Sequence, residues 1–207
     1  MIDKDTKIYC SFSSNPGNNG CIFFNDMFEK NGVNAIYKSF YSKDILESIS
    51  AVKILGIKGF AVSMPFKVEI VKFVDVLSPE VKEIGAANTI INDGVLKAYN
   101  TDWMGVYEYL RPGGVGRLTH GPIDKLTILG NGGFSKAVQY ACNKLNISTE
   151  IITRKNWDTI SDVSNIVFNA TPVNITHRNL IDGRPHTVDG KIIANLQAIE
   201  QYKIYTN

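Results

Sequence analysis

The sequence predicts an α/β fold in two domains, and three observations carry that prediction. Strand and helix signals alternate through the first hundred residues instead of falling in separate blocks. A Pro- and Gly-containing stretch, from Pro112-Gly113-Gly114 to Pro122, interrupts the alternation and is the best linker candidate. After it the alternation restarts, with a strand running straight into a glycine-rich turn and a helix.

Lys7 to Phe12 reads as the first strand, Asn25 to Asn31 as a helix stopped by Gly32, and Ala35 to Phe40 as the second strand. Ile45, Ile49, Val52 and Leu55 are near helical spacing, which predicts a helix from Asp44 to Leu55, ended by Gly56. A third strand covers Phe60 to Ser63, and Val68 to Val76 carries another helical pattern. Asn92-Asp93-Gly94 lies between short strands near Thr89–Ile91 and Leu96–Ala98, and Asp-Gly in that setting signals a hairpin. Asp102 to Leu110 reads as a helix. Beyond the linker candidate come a strand at Lys125 to Leu129, a helix ending at Leu145, and strands at Thr149 to Thr153 and Asn165 to Ala170. About ten residues join the last two, near the lower limit for a parallel crossover, so one short helical turn is expected there. Ile192 to Tyr205 closes the chain as a helix.

Of the 207 residues, 44% are hydrophobic and 20% charged, the composition of an ordinary globular protein. A formal charge of +2, from 22 basic and 20 acidic residues mixed along the chain, leaves no footprint for nucleic acid or an anionic membrane. Small-molecule partners are expected, with the chain as monomer or homodimer. The first seven residues, charged from Asp3 onward, do not read as a signal peptide, and no stretch approaches the roughly 18 apolar residues of a membrane span. Cys10, Cys21 and Cys142 are odd in number and lack metal-ligand spacing, so neither a disulfide framework nor a metal site is expected, and a reducing cytoplasm fits best.

Chemistry-bearing residues cluster at element ends. Gly130-Asn131-Gly132-Gly133-Phe134-Ser135 joins a strand to a helix, the opening of a Rossmann-type dinucleotide site in which glycines admit the pyrophosphate to the helix N-terminus. The spacing departs from Gly-x-Gly-x-x-Gly, with Ser135 near the third glycine position. After the second strand of that unit stand Arg154 and Lys155, where a carboxylate would grip the ribose of NAD. A guanidinium instead suits a 2′-phosphate, which favours NADP. Lys67 leaves a strand through Met64-Pro65-Phe66, and Asp102 opens a helix, where a capping role is the ordinary reading.

Together these stretches resemble the shikimate dehydrogenase family, and its shikimate dehydrogenase-like branch in particular. The matching runs are Ala61-Val62-Ser63-Met64-Pro65-Phe66-Lys67, Ile84-Gly85-Ala86-Ala87-Asn88-Thr89, Tyr99-Asn100-Thr101-Asp102, Gly130-Asn131-Gly132-Gly133, Asn169-Ala170-Thr171-Pro172 and Leu196-Gln197-Ala198-Ile199-Glu200-Gln201-Tyr202. The resemblance implies an NADP-dependent oxidoreductase of aromatic amino acid biosynthesis, interconverting 3-dehydroshikimate and shikimate or a related cyclic acid such as quinate. It implies a substrate-binding and catalytic domain over residues 1–103, a reduced Rossmann-type NADP-binding domain over 104–189, and a helix over 190–207 packing back near the first. Lys67 and Asp102 become the proton-transfer pair. Asn88, Asn100, Thr101 and Gln197 become ligands for a polyhydroxylated substrate. Asn169 and Thr171 join the glycine turn, Arg154 and Lys155 around the cofactor.

The family's early two-serine motif, which holds the substrate carboxylate, falls by spacing near Asn18 and Gly20, neither of them serine. Ser11 and Ser13 are the nearby hydroxyls that can take the role. Asn156 to Ser164 and Ile175 to Asp189 replace longer segments of the family's nucleotide domain. The alternative to an enzyme is therefore a non-catalytic module of the same descent, sensing a shikimate- or quinate-like ligand or a nucleotide.

Overall fold

In the first strand, β1 (Lys7–Ser13), Ile8, Cys10 and Phe12 alternate with Tyr9, Ser11 and Ser13, and both sets are largely covered. That is what a strand inside a parallel sheet requires. The structure, a computed structural model, describes residues 2–207. Their contacts divide the chain into two units: one runs to Thr101 and takes in Ala198–Asn207, and the other is Asp102–Gln197.

The first unit continues with α1 (Asn19–Lys30), β2 (Ala35–Tyr41), α2 (Ile45–Ile54) and β3 (Gly59–Val62). It goes on through β4 (Val76–Leu77), α3 (Pro79–Ile84), β5 (Thr89–Asn92) and β6 (Leu96–Tyr99). The sheet order is β2-β1-β3-β5-β6-β4, with β5 antiparallel to both neighbours. Cys10 and Phe12 pack with Ile45, Ile49 and Val52 of α2 on one face. Tyr9 packs on the other with Phe24 and Phe28 of α1 and with Tyr205. The helix α2 starts as predicted because Asp44 caps it, accepting from the Leu46 N–H at 2.7 Å.

Two expectations fail. Val68 to Val76 is not a helix: a single 3-10 turn covers Ile70–Lys72, and the segment then becomes the edge strand β4. Pairing wins there. The Asp75 N–H donates to the Leu96 carbonyl at 2.9 Å, and Asp75 Oδ2 accepts from the Leu96 N–H at 2.7 Å, drawing the chain onto β6. The stretch from Pro112 to Pro122 is not a linker either. It lies within the second unit, after α4 (Asp102–Leu110), and forms the short helix α5 (Val115–His120). Arg117 Nε ties that helix down by donating to the Leu110 carbonyl at 2.8 Å.

The second unit holds β7 (Lys125–Leu129), α6 (Gly133–Lys144), β8 (Ser148–Ile152), β9 (Ile166–Asn169) and β10 (Leu180–Asp182), all parallel in the order β10-β9-β7-β8. The crossover from β8 to β9 is a nine-residue 3-10 segment, Arg154–Asp162, kinked at Asn156, longer than the single turn expected. Its Trp157 and Ile160 cover one face of the sheet, over Leu129, Ile152 and Val167. Val106, Tyr109 and Leu110 of α4 and Val138, Ala141 and Cys142 of α6 join Leu126, Ile128 and Phe168 in the other core. A fully buried side chain such as Phe168 contributes about 1.5–3 kcal/mol. The last helix, α7 (Val188–Thr206), begins four residues before the predicted start, 192 minus 188.

Candidate active site

Strand register brings the candidate substrate residues of the first unit to one edge of its sheet. Phe12 pairs with Val62, Ala61 with Thr89, and Thr89 with Tyr99, so Ser13, Ser63, Asn88 and Asn100 follow in nearly one row. Ser11 lies on the same face of β1 as Ser13, two residues back, and donates to Ser39 Oγ at 3.1 Å. Ser13 is 7% exposed. Asn18, by contrast, occupies the N-cap of α1, and Gly20 lies in that helix's first turn.

Lys67 emerges from the same edge. Buried Phe66 anchors the turn after β3, and the Lys67 carbonyl accepts the Ala87 N–H at 2.8 Å, leaving the lysine side chain half-buried. Asn88 is buried and organises the exit of β6: its Oδ1 accepts the Thr101 N–H at 2.8 Å and the Thr89 hydroxyl at 2.9 Å, while Nδ2 donates to Thr101 Oγ1 at 2.9 Å. Asn100 Nδ2 donates to the Ala86 carbonyl at 2.9 Å. These amides thus hold the strand ends in place at the edge where a ligand would sit.

In the second unit, Asp102 is the first residue of α4 and only 5% exposed. One turn on, Gly105 lets α7 approach closely: a Cβ there would stand 2.8 Å from the Gln197 N and Cβ and from the Ile193 carbonyl. Residues three apart share a helix face, so Asp102 lies on the side of α4 that meets Gln197. Gly105 was overlooked in the sequence. A glycine inside a helix is destabilising by about 0.5–1 kcal/mol, and that cost was the available signal.

The glycine turn follows β7 where the chain, having gone out to β8, crosses back to β9, the switch point at which open α/β sheets bind ligands. Gly130 adopts φ +103, and a Cβ there would lie 2.9 Å from Thr171 Cγ2, so the loops after β7 and β9 touch. Ser135 closes the turn by donating to the Gly130 carbonyl at 2.7 Å. Gly132, the N-cap of α6, makes no side-chain cap, and a Cβ built on it meets nothing within 4 Å. A bare helix N-terminus with open space before it fits a pyrophosphate. Asn131 is exposed beside it, Gly133 starts the helix, and the Phe134 ring packs on Phe168 at 5.9 Å between centroids.

Asn169 shapes the facing loop: its Oδ1 accepts the Thr171 N–H at 3.0 Å and the Thr171 hydroxyl at 2.7 Å, and its Nδ2 donates to Asp182 Oδ1 at 3.2 Å. Asp182 is held in turn by a two-pronged contact from Arg184, another pair that local sequence patterns do not reveal. Arg154 and Lys155 follow β8, exposed, with the Thr153 hydroxyl accepting the Lys155 N–H. Among the described residues neither side chain has an ion-pair partner, so both are available to a 2′-phosphate. Also among the described residues, no helix is long and apolar enough to cross a membrane.

Two α/β units, the second built on a strand, a glycine turn and a helix at a switch point, define a Rossmann-type two-unit protein. Residues 20–90 match the family described as the shikimate dehydrogenase substrate binding domain. A shikimate dehydrogenase-like protein of Haemophilus influenzae is 41% identical over 139 residues, 67% of this chain and 49% of that protein. The NADP(+) shikimate dehydrogenase of Pyrococcus furiosus is 40% identical over 149 residues, 70% of this chain and 53% of that protein. A solved shikimate 5-dehydrogenase-like protein superposes with a TM-score of 0.77 at 29% identity, across 100% of this chain and 93% of that one. Shikimate dehydrogenase 1 from Peptoclostridium difficile gives 0.80 at 26% identity, across 96% and 91%. The chain belongs to the shikimate dehydrogenase family. It spans about half the length of the curated relatives it matches.

Proposed function

We propose that the protein is an NADP-dependent oxidoreductase that interconverts 3-dehydroshikimate and shikimate, or a closely related cyclic acid such as quinate. The observation that carries the reading is the sheet edge of the first unit, where register aligns Ser13, Asn88 and Asn100 beside the turn that presents Lys67. Hydroxyls, amides and one cation suit a ligand that carries hydroxyls and a carboxylate. The unit ending at Thr101 is the substrate-binding part, and the glycine turn, Asn169, Thr171, Arg154 and Lys155 hold the cofactor. Bound there, NADP+ would supply the hydride acceptor. The chain's own residues do the rest: Ser11 and Ser13 receive the carboxylate, and Asn88, Asn100, Thr101 and Gln197 orient the ring hydroxyls. Lys67 and Asp102 take up the hydroxyl proton on oxidation and return it on reduction.

Lys67→Ala and Asp102→Asn should each lower kcat by about two orders of magnitude or more, the range for removing an acid–base group, with the melting temperature little changed. Should Asp102 act only as a helix cap, the substitution would cost about 0.5–2 kcal/mol of stability and leave turnover of the folded fraction intact. A second reading, a sensor of the same descent, draws on the four-stranded second sheet. Shikimate binding without any nicotinamide-linked turnover is the outcome that selects it.

A further inference from the structure

Asp102, Gly105 and Tyr109 recur at intervals of three and four residues, one stripe of α4; Asp189, Ile193 and Gln197 recur every four, one stripe of α7. The two stripes touch at both levels. Tyr109, wholly buried, donates its hydroxyl to Asp189 Oδ1 at 2.6 Å, and Gly105 abuts Ile193 and Gln197. The helices therefore pass one another in opposite directions, with Asp102 beyond Gly105 on the Gln197 side.

Asp189 is fixed from other directions too. Its Oδ2 accepts the Asp182 N–H at 3.0 Å, and His120 Nε2 stands 3.7 Å from Oδ1. One carboxylate thus gathers groups from α4, α5 and the end of β10 at the first turn of α7. A glycine packed against a neighbouring backbone, as Gly105 is against Ile193 and Gln197, lets two helices approach but leaves them free to slide; a directional hydrogen bond between a buried phenol and a carboxylate does not.

We infer that Tyr109 and Asp189 are positioning residues, whose hydrogen bond sets the register of α7 against α4 and so the place of the Gln197 amide relative to Asp102. The inference rests on the proposed function only for what Gln197 then binds. Register itself is a property of the ligand-free protein, and the test separates the two. The readout is the side-chain amide resonance of Gln197 in the 15N-labelled full chain, with the backbone amides of β8, at the far edge of the sheet, as control. Tyr109→Phe and Asp189→Ala should both displace the Gln197 resonance and leave β8 in place, whereas Asp189→Asn, which keeps an acceptor oxygen, should restore it. An unmoved Gln197 resonance in both Tyr109→Phe and Asp189→Ala overturns the inference, as does displacement by Asp189→Asn equal to that by Asp189→Ala. Shikimate titrated into the same samples tests the function. Without binding to the unsubstituted chain the proposed substrate falls, and the resonances still decide the register. With binding, Tyr109→Phe should weaken shikimate about tenfold, the worth of one hydrogen bond to the ligand. Combining it with Gln197→Ala should then add nothing to Gln197→Ala alone, because the two changes remove the same contact. Full additivity contradicts the coupling.

Discussion

A buried amide that accepts the Thr101 N–H and the Thr89 hydroxyl and donates to Thr101 Oγ1 cannot be truncated without stranding its partners, and Asn88 is that amide in the first unit. Asn88→Ala leaves the buried Thr101 N–H unsatisfied and should cost about 1–3 kcal/mol, read as a lowered urea midpoint with an unchanged m-value. The sequence named Asn88 through the family resemblance as a ligand for the substrate. Its structural work is invisible there, because Thr89 and Thr101 reach it only once β5 and β6 pair. The cysteines give a second test at this scale. Cys10 and Cys142 are fully buried, and burial pushes the Cys142 thiol up to about 12, while Cys21 is partly exposed against Ser39. A thiol reagent should label Cys21 rapidly in the native protein and the other two only after denaturation. The folded state keeps the Cys142 proton where the unfolded chain, with a pKa of about 8.5, releases it. Its contribution to stability is therefore complete below that pH and lost as pH rises toward 12.

At the level of elements, two glycines predict opposite phenotypes. Gly105→Ala drives a methyl against the backbone of α7, so α4 and α7 must separate, and overpacking of that kind costs about 1–3 kcal/mol. Gly132→Ala meets no protein atom within 4 Å, so thermal melting should be unchanged, while the methyl enters the space before α6 and weakens nucleotide binding. Calorimetric titration with NADP+ beside a melting curve distinguishes the two. The strand–turn–helix around Gly130 was legible because local residue types dictate it. The linker and the helix at 68–76 were misread because their fate is settled by partners distant in sequence. Val76 and Leu77 become a strand only because β6 lies beside them, and the 112–122 stretch is tied down by the end of α4. Register places Ser13 beside the Lys67 turn, whereas Asn18 and Gly20 belong to α1.

For the whole molecule, cofactor choice and activity belong together. Arg154 and Lys155 stand at the carboxyl end of β8 with no carboxylate among the described residues answering them, so replacing both by neutral residues should weaken NADP+ far more than NAD+. Equal loss of both cofactors in a binding titration would remove the phosphate grip from the account. The four strands of the second unit are parallel and ordered as a nucleotide site requires, although its crossover from β8 to β9 is a 3-10 segment. The most direct measurement follows the absorbance of reduced nicotinamide with the full chain, NADP+ and a panel containing shikimate, quinate and other cyclic polyol acids. The account predicts saturable NADPH formation with shikimate or quinate, faster with NADP+ than with NAD+, and slowed by about two orders of magnitude or more in Lys67→Ala. Binding of a shikimate-like acid with no NADPH formed from any member of the panel would contradict it.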